Sequence, residues 1–103
     1  ANGYAMGVDN SDDDKFKISY SGTATPSLGT GDVFTIDDTG NIGIGIADPT
    51  RRLHISDVMK IEPRSSAPST PTLGDIYIDS DSKEFCFYDG SSWVGLKAAG
   101  ACS

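Results

Sequence analysis

The chain has 103 residues with an apolar fraction of 37%, a formal net charge of −7 and a sequence pI near 4.3. That length is one typical domain or two very small ones, and with large apolar side chains scarce, small units bury little surface on their own. Such acidity disfavours phosphate backbones and anionic headgroups as partners, and no apolar run approaches a membrane span, so neither nucleic acid nor membrane insertion is expected.

The acidic residues are thirteen Asp against two Glu, accompanied by twelve Gly and five Pro. Asp, Gly, Ser and Pro favour turns, whereas Glu, Leu, Lys and Ala favour helices. The composition therefore predicts short strands joined by turns, and it tilts toward an oligomer in which neighbours supply the missing burial. The chain opens at Ala1 without a Met, which reads as a processed product or an excised fragment with any targeting signal upstream.

Along the chain, Tyr4 to Val8 is a short β-like stretch, followed by a turn across Asp9, Asn10, Ser11, Asp12, Asp13 and Asp14. In Lys15 to Tyr20, Phe16, Ile18 and Tyr20 alternate with polar residues, the period of a half-buried strand. Residues 21–31 form a loop, and Val33 to Asp37 is the next strand, with Phe34 and Ile36 on one face. After a turn at Asp38-Thr39-Gly40-Asn41, Ile42-Gly43-Ile44-Gly45-Ile46 makes a strand with its glycines on one face. Bare backbone there suits the close approach of another chain near a three-fold axis, or else simply the flat outer side of a hairpin. Arg51 to Ile61 is predicted as two short strands, broken at Ser56-Asp57, in preference to a helix.

Residues 63–72 are a Pro/Ser linker. It sets off residues 1–56, a shaft-like β region, from residues 57–103, a C-terminal β-meander. In the meander Ile76 to Asp79, Glu84 to Tyr88 and Ser92 to Leu96 are strands, joined by turns at residues 80–83 and at Asp89-Gly90-Ser91. Cys86 and Cys102 suit a disulfide, within or between chains, worth roughly 3 kcal/mol; a buried thiol and a loose terminal one suit the sequence equally well.

Asn41-Ile42-Gly43-Ile44-Gly45-Ile46-Ala47-Asp48-Pro49-Thr50-Arg51-Arg52-Leu53-His54-Ile55 resembles the N-[VI]-G-I-G-T-x-x-P-x-x-x-L-H-V stretch of phage tail-fibre proteins and related bacterial trimeric fibres. Residues Lys15 to Ser19 and Asp32 to Asp37 resemble the strands leading into it. Leu73 to Asp79 with Phe87 to Trp93 is similar to the G-D-x-Y-x-[DN]…Y-[DN]-G-S-x-W hairpins near the ends of such fibres. The tip of a surface adhesin fibre from a predatory bacterium is a closer likeness. The matches span most of residues 3–96, with Ile46 where Thr is usual. The resemblance implies an all-β, intertwined homotrimeric fibre segment with a C-terminal β-meander tip, extracellular on a cell surface or virion, with a role in attachment. It does not extend to the self-cleaving chaperone domain of many phage relatives, because residues 57–103 hold no Ser/Lys cleavage module.

No enzyme motif is present. Asp9 to Asp14 fails calcium-loop spacing, with Asp14 at the glycine position and Tyr20 at the bidentate Glu position, so a solvated turn is expected. Asp79, Asp81 and Glu84 are read as polar residues that guard a sheet edge rather than as cation ligands. His54, the single histidine, is expected to face outward. Catalytic residues, metal sites and cofactors are therefore not expected, and a polysaccharide depolymerase is disfavoured at this length. The candidate contact residues are Tyr77, Tyr88, Asp89, Ser91 and Trp93, where aromatic faces beside polar groups suit a surface glycan or protein receptor; Trp93 alternatively forms the core of the meander. A trimerisation cap ending a fibre shaft is the competing function.

Overall fold

A computed structural model describes residues 3–23, 25–97 and 102. Its secondary structure is all β among those residues. The chain divides into two compact units, Ala1–Met59 and Lys60–Ser103.

The first unit is a five-stranded sheet of sequential order: β1 (Gly3–Asp9), β2 (Lys15–Ser21), β3 (Asp32–Ile36), β4 (Ile42–Ile44) and β5 (Leu53–Ile55). The first three pairings are antiparallel and β4–β5 is parallel. Period-two alternation and β-branched residues place these strands where expected. The two-strand reading of residues 51–61 holds only for its first half. Beyond Ile55 the chain is irregular, and Val58 and Met59 are exposed. Their alternation lacks a neighbouring strand to answer it.

Alternation fixes two faces but does not say which one is buried, and the outcome is the reverse of ordinary expectation. On β2 the buried side chains are Lys15, Lys17 and Ser19, while Phe16 and Ile18 are half-buried and Tyr20 is exposed. Thr35 of β3 is buried on the polar side too. The glycines belong to this polar face, where the chain's own loops cover them. A Cβ on Gly7 would meet Leu28 Cδ1 at 3.5 Å, one on Gly3 would meet Pro26 Cγ at 3.9 Å, and one on Gly43 would overlap the Ile46 carbonyl oxygen. The expectation that the glycine side of β4 admits a neighbouring chain is thus corrected: Ile46 occupies that space, and β4 ends at Ile44, before Gly45.

The loop over the polar face is held by Gly31, whose φ of +73° and close approach to the Tyr20 carbonyl leave no room for a side chain. Thr35 Oγ1 is buried without a hydrogen-bond partner among the described residues. Replacing Thr35 by the isosteric Val removes that unpaired hydroxyl and is expected to stabilise the first unit by ~1 kcal/mol, measurable as a raised denaturation midpoint.

The second unit is an antiparallel meander, β6 (Ile76–Asp79), β7 (Glu84–Tyr88) and β8 (Trp93–Gly95). The Pro/Ser segment belongs to this unit: Arg64 N–H donates to the Ile78 carbonyl at 2.9 Å and Ser80 N–H to the Arg64 carbonyl at 2.9 Å. Cys86 and Cys102 form a disulfide within the chain, with Cα atoms 5.9 Å apart. In register, Cys86 stands between Tyr77 and Gly95, and the bridge holds Cys102 to the face that buries Tyr77, Asp79 and Glu84.

Candidate functional site

Three arrangements bear on function: a charged cluster on the covered side of the first sheet, an apolar face on its other side, and an aromatic group in the meander.

The charged cluster is built from β2 and the turn before it. Lys17, only 2% exposed, places its Nζ 3.0 Å from Asp9 Oδ2, 2.5 Å from Asp12 Oδ2 and 3.3 Å from Asp32 Oδ2. Lys15 Nζ lies 3.0 Å from Asp12 Oδ1 and 2.6 Å from Asp48 Oδ1. Ser11 donates from its amide and hydroxyl to Asp9 Oδ1, and Ser19 Oγ donates to Asp32. The expected solvated turn is therefore corrected for Asp9 and Asp12, whose carboxylates neutralise buried ammonium groups; Asp13 and Asp14 are exposed. A lysine pair alternating in a strand beside an Asp-rich turn is the sequence signal that could have revealed it, and the reading of a solvated turn passes over it.

Burial alone would lower the pKa of Lys17, but Asp12, Asp9 and Asp32 outweigh it and hold the ammonium above its ordinary value. Hydrogen bonds from Ser11 and Lys17 depress Asp9, and those from Lys17 and Lys15 depress Asp12, below the usual 3.8. A depressed carboxyl contributes stability above its unfolded pKa and loses it as pH falls through the folded value. A raised lysine contributes below its unfolded 10.5 and loses it only above that. The melting temperature of the first unit is therefore expected to be level across neutral pH and to fall below about pH 4, as a thermal melt series would read.

Opposite this cluster lies a continuous apolar face. Cross-strand register aligns Val8, Phe16, Ile36, Ile42 and Leu53 in one row. Met6, Ile18, Phe34, Ile44 and Ile55 form the next, with Tyr4 and Tyr20 beyond them, their rings 5.0 Å apart. Tyr4 is 68% exposed, Met6 69% and Leu53 57%. Summed over the most exposed side chains, the open area is on the order of 600 Å², at the upper limit for the largest patch on a typical monomer and near one partner's share of a standard interface. The expectation that His54 faces outward is corrected: it falls on the covered polar face and is half-buried, while Leu53 beside it is exposed, and its Nδ1 accepts the Thr50 N–H at 3.1 Å.

The meander has the same polarity. Its covered face carries Tyr77, Asp79, Glu84 and Cys86, all buried, and its other face carries Ile76, Ile78, Phe85, Phe87 and Val94. Asp79 accepts the Asp81 amide and Glu84 the Lys97 amide at 2.7 Å. The expectation that Asp79 and Glu84 guard a wet sheet edge is corrected: both are buried and take up backbone donors.

Of the five predicted contact residues, three rings meet. Trp93 is half-buried and stands edge-on to Tyr77 at 4.8 Å and to Tyr88 at 5.3 Å. Tyr77, 2% exposed, supports Trp93 from beneath and presents no face of its own. Asp89 Oδ1 accepts the Ser91 and Ser92 amides at 2.8 Å each, which lowers its pKa and commits it to the hairpin turn. Asp89→Ala is accordingly expected to lower the melting temperature of the meander, while Asp89→Asn, which keeps an acceptor oxygen, largely preserves it; a Trp93 fluorescence melt distinguishes them. Ser91 is exposed at the same turn. No cleft is present among the described residues.

Comparison with protein-family models, with curated proteins and with solved structures finds no match for this chain.

Proposed function

We propose that the chain is a non-enzymatic segment of a homotrimeric surface fibre, extracellular on a cell or virion, that mediates attachment to a cell-surface glycan or protein. The observation that carries this reading is the apolar face of β1–β5: twelve large apolar side chains on one side of a sheet whose other side is already covered by charged groups and loops. A soluble sheet leaves such a face open only for a partner, and the likeness to trimeric fibres supplies two further copies as that partner. The disulfide suits an oxidising, extracellular setting. Asp79 and Asp89 spend their carboxylates on turn amides, which supports the non-enzymatic reading.

Attachment falls to the meander, where the half-buried Tyr88 and Trp93 beside exposed Ser91 offer ring faces and a hydroxyl. Sedimentation at micromolar concentration tests the assembly, and a monomer would overturn it. A glycan array and cell-binding assay test attachment, with loss of binding expected for Trp93→Ala. The competing reading, a trimerisation cap, is favoured by the burial of Tyr77 and the turn role of Asp89; a trimer that binds nothing across a broad panel would establish it.

A further inference from the structure

The outer strands of the first sheet expose backbone as well as side chains. Tyr20 N–H donates to the Gly31 carbonyl on the β3 side at 2.9 Å, so the alternate residues Lys17, Ser19 and Ser21 face β1. Their partners Gly7, Ala5 and Gly3 complete that ladder, and the N–H and C=O of Tyr4, Met6 and Val8 turn to the open edge. On the other side, Ile42 N–H donates to the Arg52 carbonyl at 2.9 Å and Ser56 N–H to the Ile44 carbonyl at 3.1 Å. Arg52, His54 and Ser56 thus face β4, and the backbone of Leu53 and Ile55 turns outward.

Among the described residues, none of these outward groups finds a backbone partner. Proteins normally guard such an edge with Lys, Pro, a bulge or a covering loop. Gly3–Asp9 has no Lys and no Pro, and it pairs without a register shift over seven residues.

The two edges are complementary. With three antiparallel pairings and one parallel, β1 and β5 run in opposite directions. At both edges, the residues with outward backbone carry their side chains on the apolar face. A rotation about an axis along the strands therefore sets β1 of one copy antiparallel beside β5 of the next, with every apolar face turned inward.

We propose that the copies join edge to edge, β1 of each pairing with β5 of its neighbour, so that three head-to-tail contacts close a ring and leave no open sheet edge. Five strands at about 4.8 Å make a wall roughly 24 Å wide, and the centre of a three-walled prism of that side lies about 7 Å from each wall. That distance is one layer of side chains, so the apolar faces fill the interior as the edges close. This inference rests on the trimeric reading above.

Hydrogen exchange in the assembled protein tests it. Slow exchange is expected at the amides of Tyr4, Met6, Val8, Leu53 and Ile55. Met6→Pro deletes one outward N–H and spares the ladder to β2, whereas Met6→Ala keeps that N–H and trims the side chain. The proline variant is expected to dissociate at a protein concentration at least roughly tenfold higher than the alanine variant. A trimer whose edge amides exchange as fast as a loop, or whose Pro and Ala variants dissociate alike, overturns edge pairing and leaves the trimer standing. A monomeric parent chain overturns both. If Met6→Pro fails to fold, exchange in the unaltered protein decides.

Discussion

Replacing Ile18 by Asp is expected to break the assembly into monomers that keep their β-structure. Ile18 lies mid-sheet on the apolar face, flanked in register by Met6 and Phe34. In a lone chain the substitution costs the strand preference of one residue and the partial burial of a half-buried side chain, about 1–2 kcal/mol in all, because water already reaches much of that face. In a trimer it places three carboxylates in a common apolar interior. Each is desolvated without a cation to pair with, at several kcal/mol per copy by the usual cost of burying an uncompensated charge. Affinity is therefore expected to fall by more than about a thousandfold, since every 1.4 kcal/mol is tenfold. Sedimentation velocity with far-ultraviolet circular dichroism reads both outcomes together. A variant that remains trimeric would remove the apolar face from the interface, and one that unfolds as a monomer would show that the face serves the sheet itself.

Strand positions were legible from period two alone. The strand at Tyr4 to Val8 needed only one more residue at each end, and Ile76 to Asp79 and Glu84 to Tyr88 fall where alternation places them. Which face turns inward was not legible, because alternation is symmetric. Phe16, Ile18 and Tyr20 look like a core stripe until the loop from Thr25 to Gly31 is seen lying on the other side, over Gly3 and Gly7. That choice depends on contacts distant in sequence: Asp48 reaches Lys15 from 33 residues away and Asp32 reaches Ser19 from 13. The meander was only partly legible for a related reason. Tyr77, Tyr88 and Trp93 belong together in sequence as in space, but alternation does not mark Tyr77 as the buried one, and the disulfide of the neighbouring Cys86 was left open by the cysteine count.

That disulfide carries the second large effect. Replacing Cys86 and Cys102 together by Ala is expected to unfold the meander at temperatures where the first sheet persists. The bridge spans a sequence separation of 16 residues and constrains the unfolded chain by about 3 kcal/mol. A unit this small, whose buried face includes Asp79 and Glu84, has little stability beyond that. Trp93 is the single tryptophan and reports the meander alone, while amide exchange along β2 reports the first sheet. The Trp93 transition is expected to drop by more than about 10 °C, a shift consistent with roughly 3 kcal/mol in so small a unit, while protection of the β2 amides stays. A Trp93 transition that holds within a few degrees would mean that the three strands sustain themselves, and that Cys102 fastens the tail without sustaining the fold.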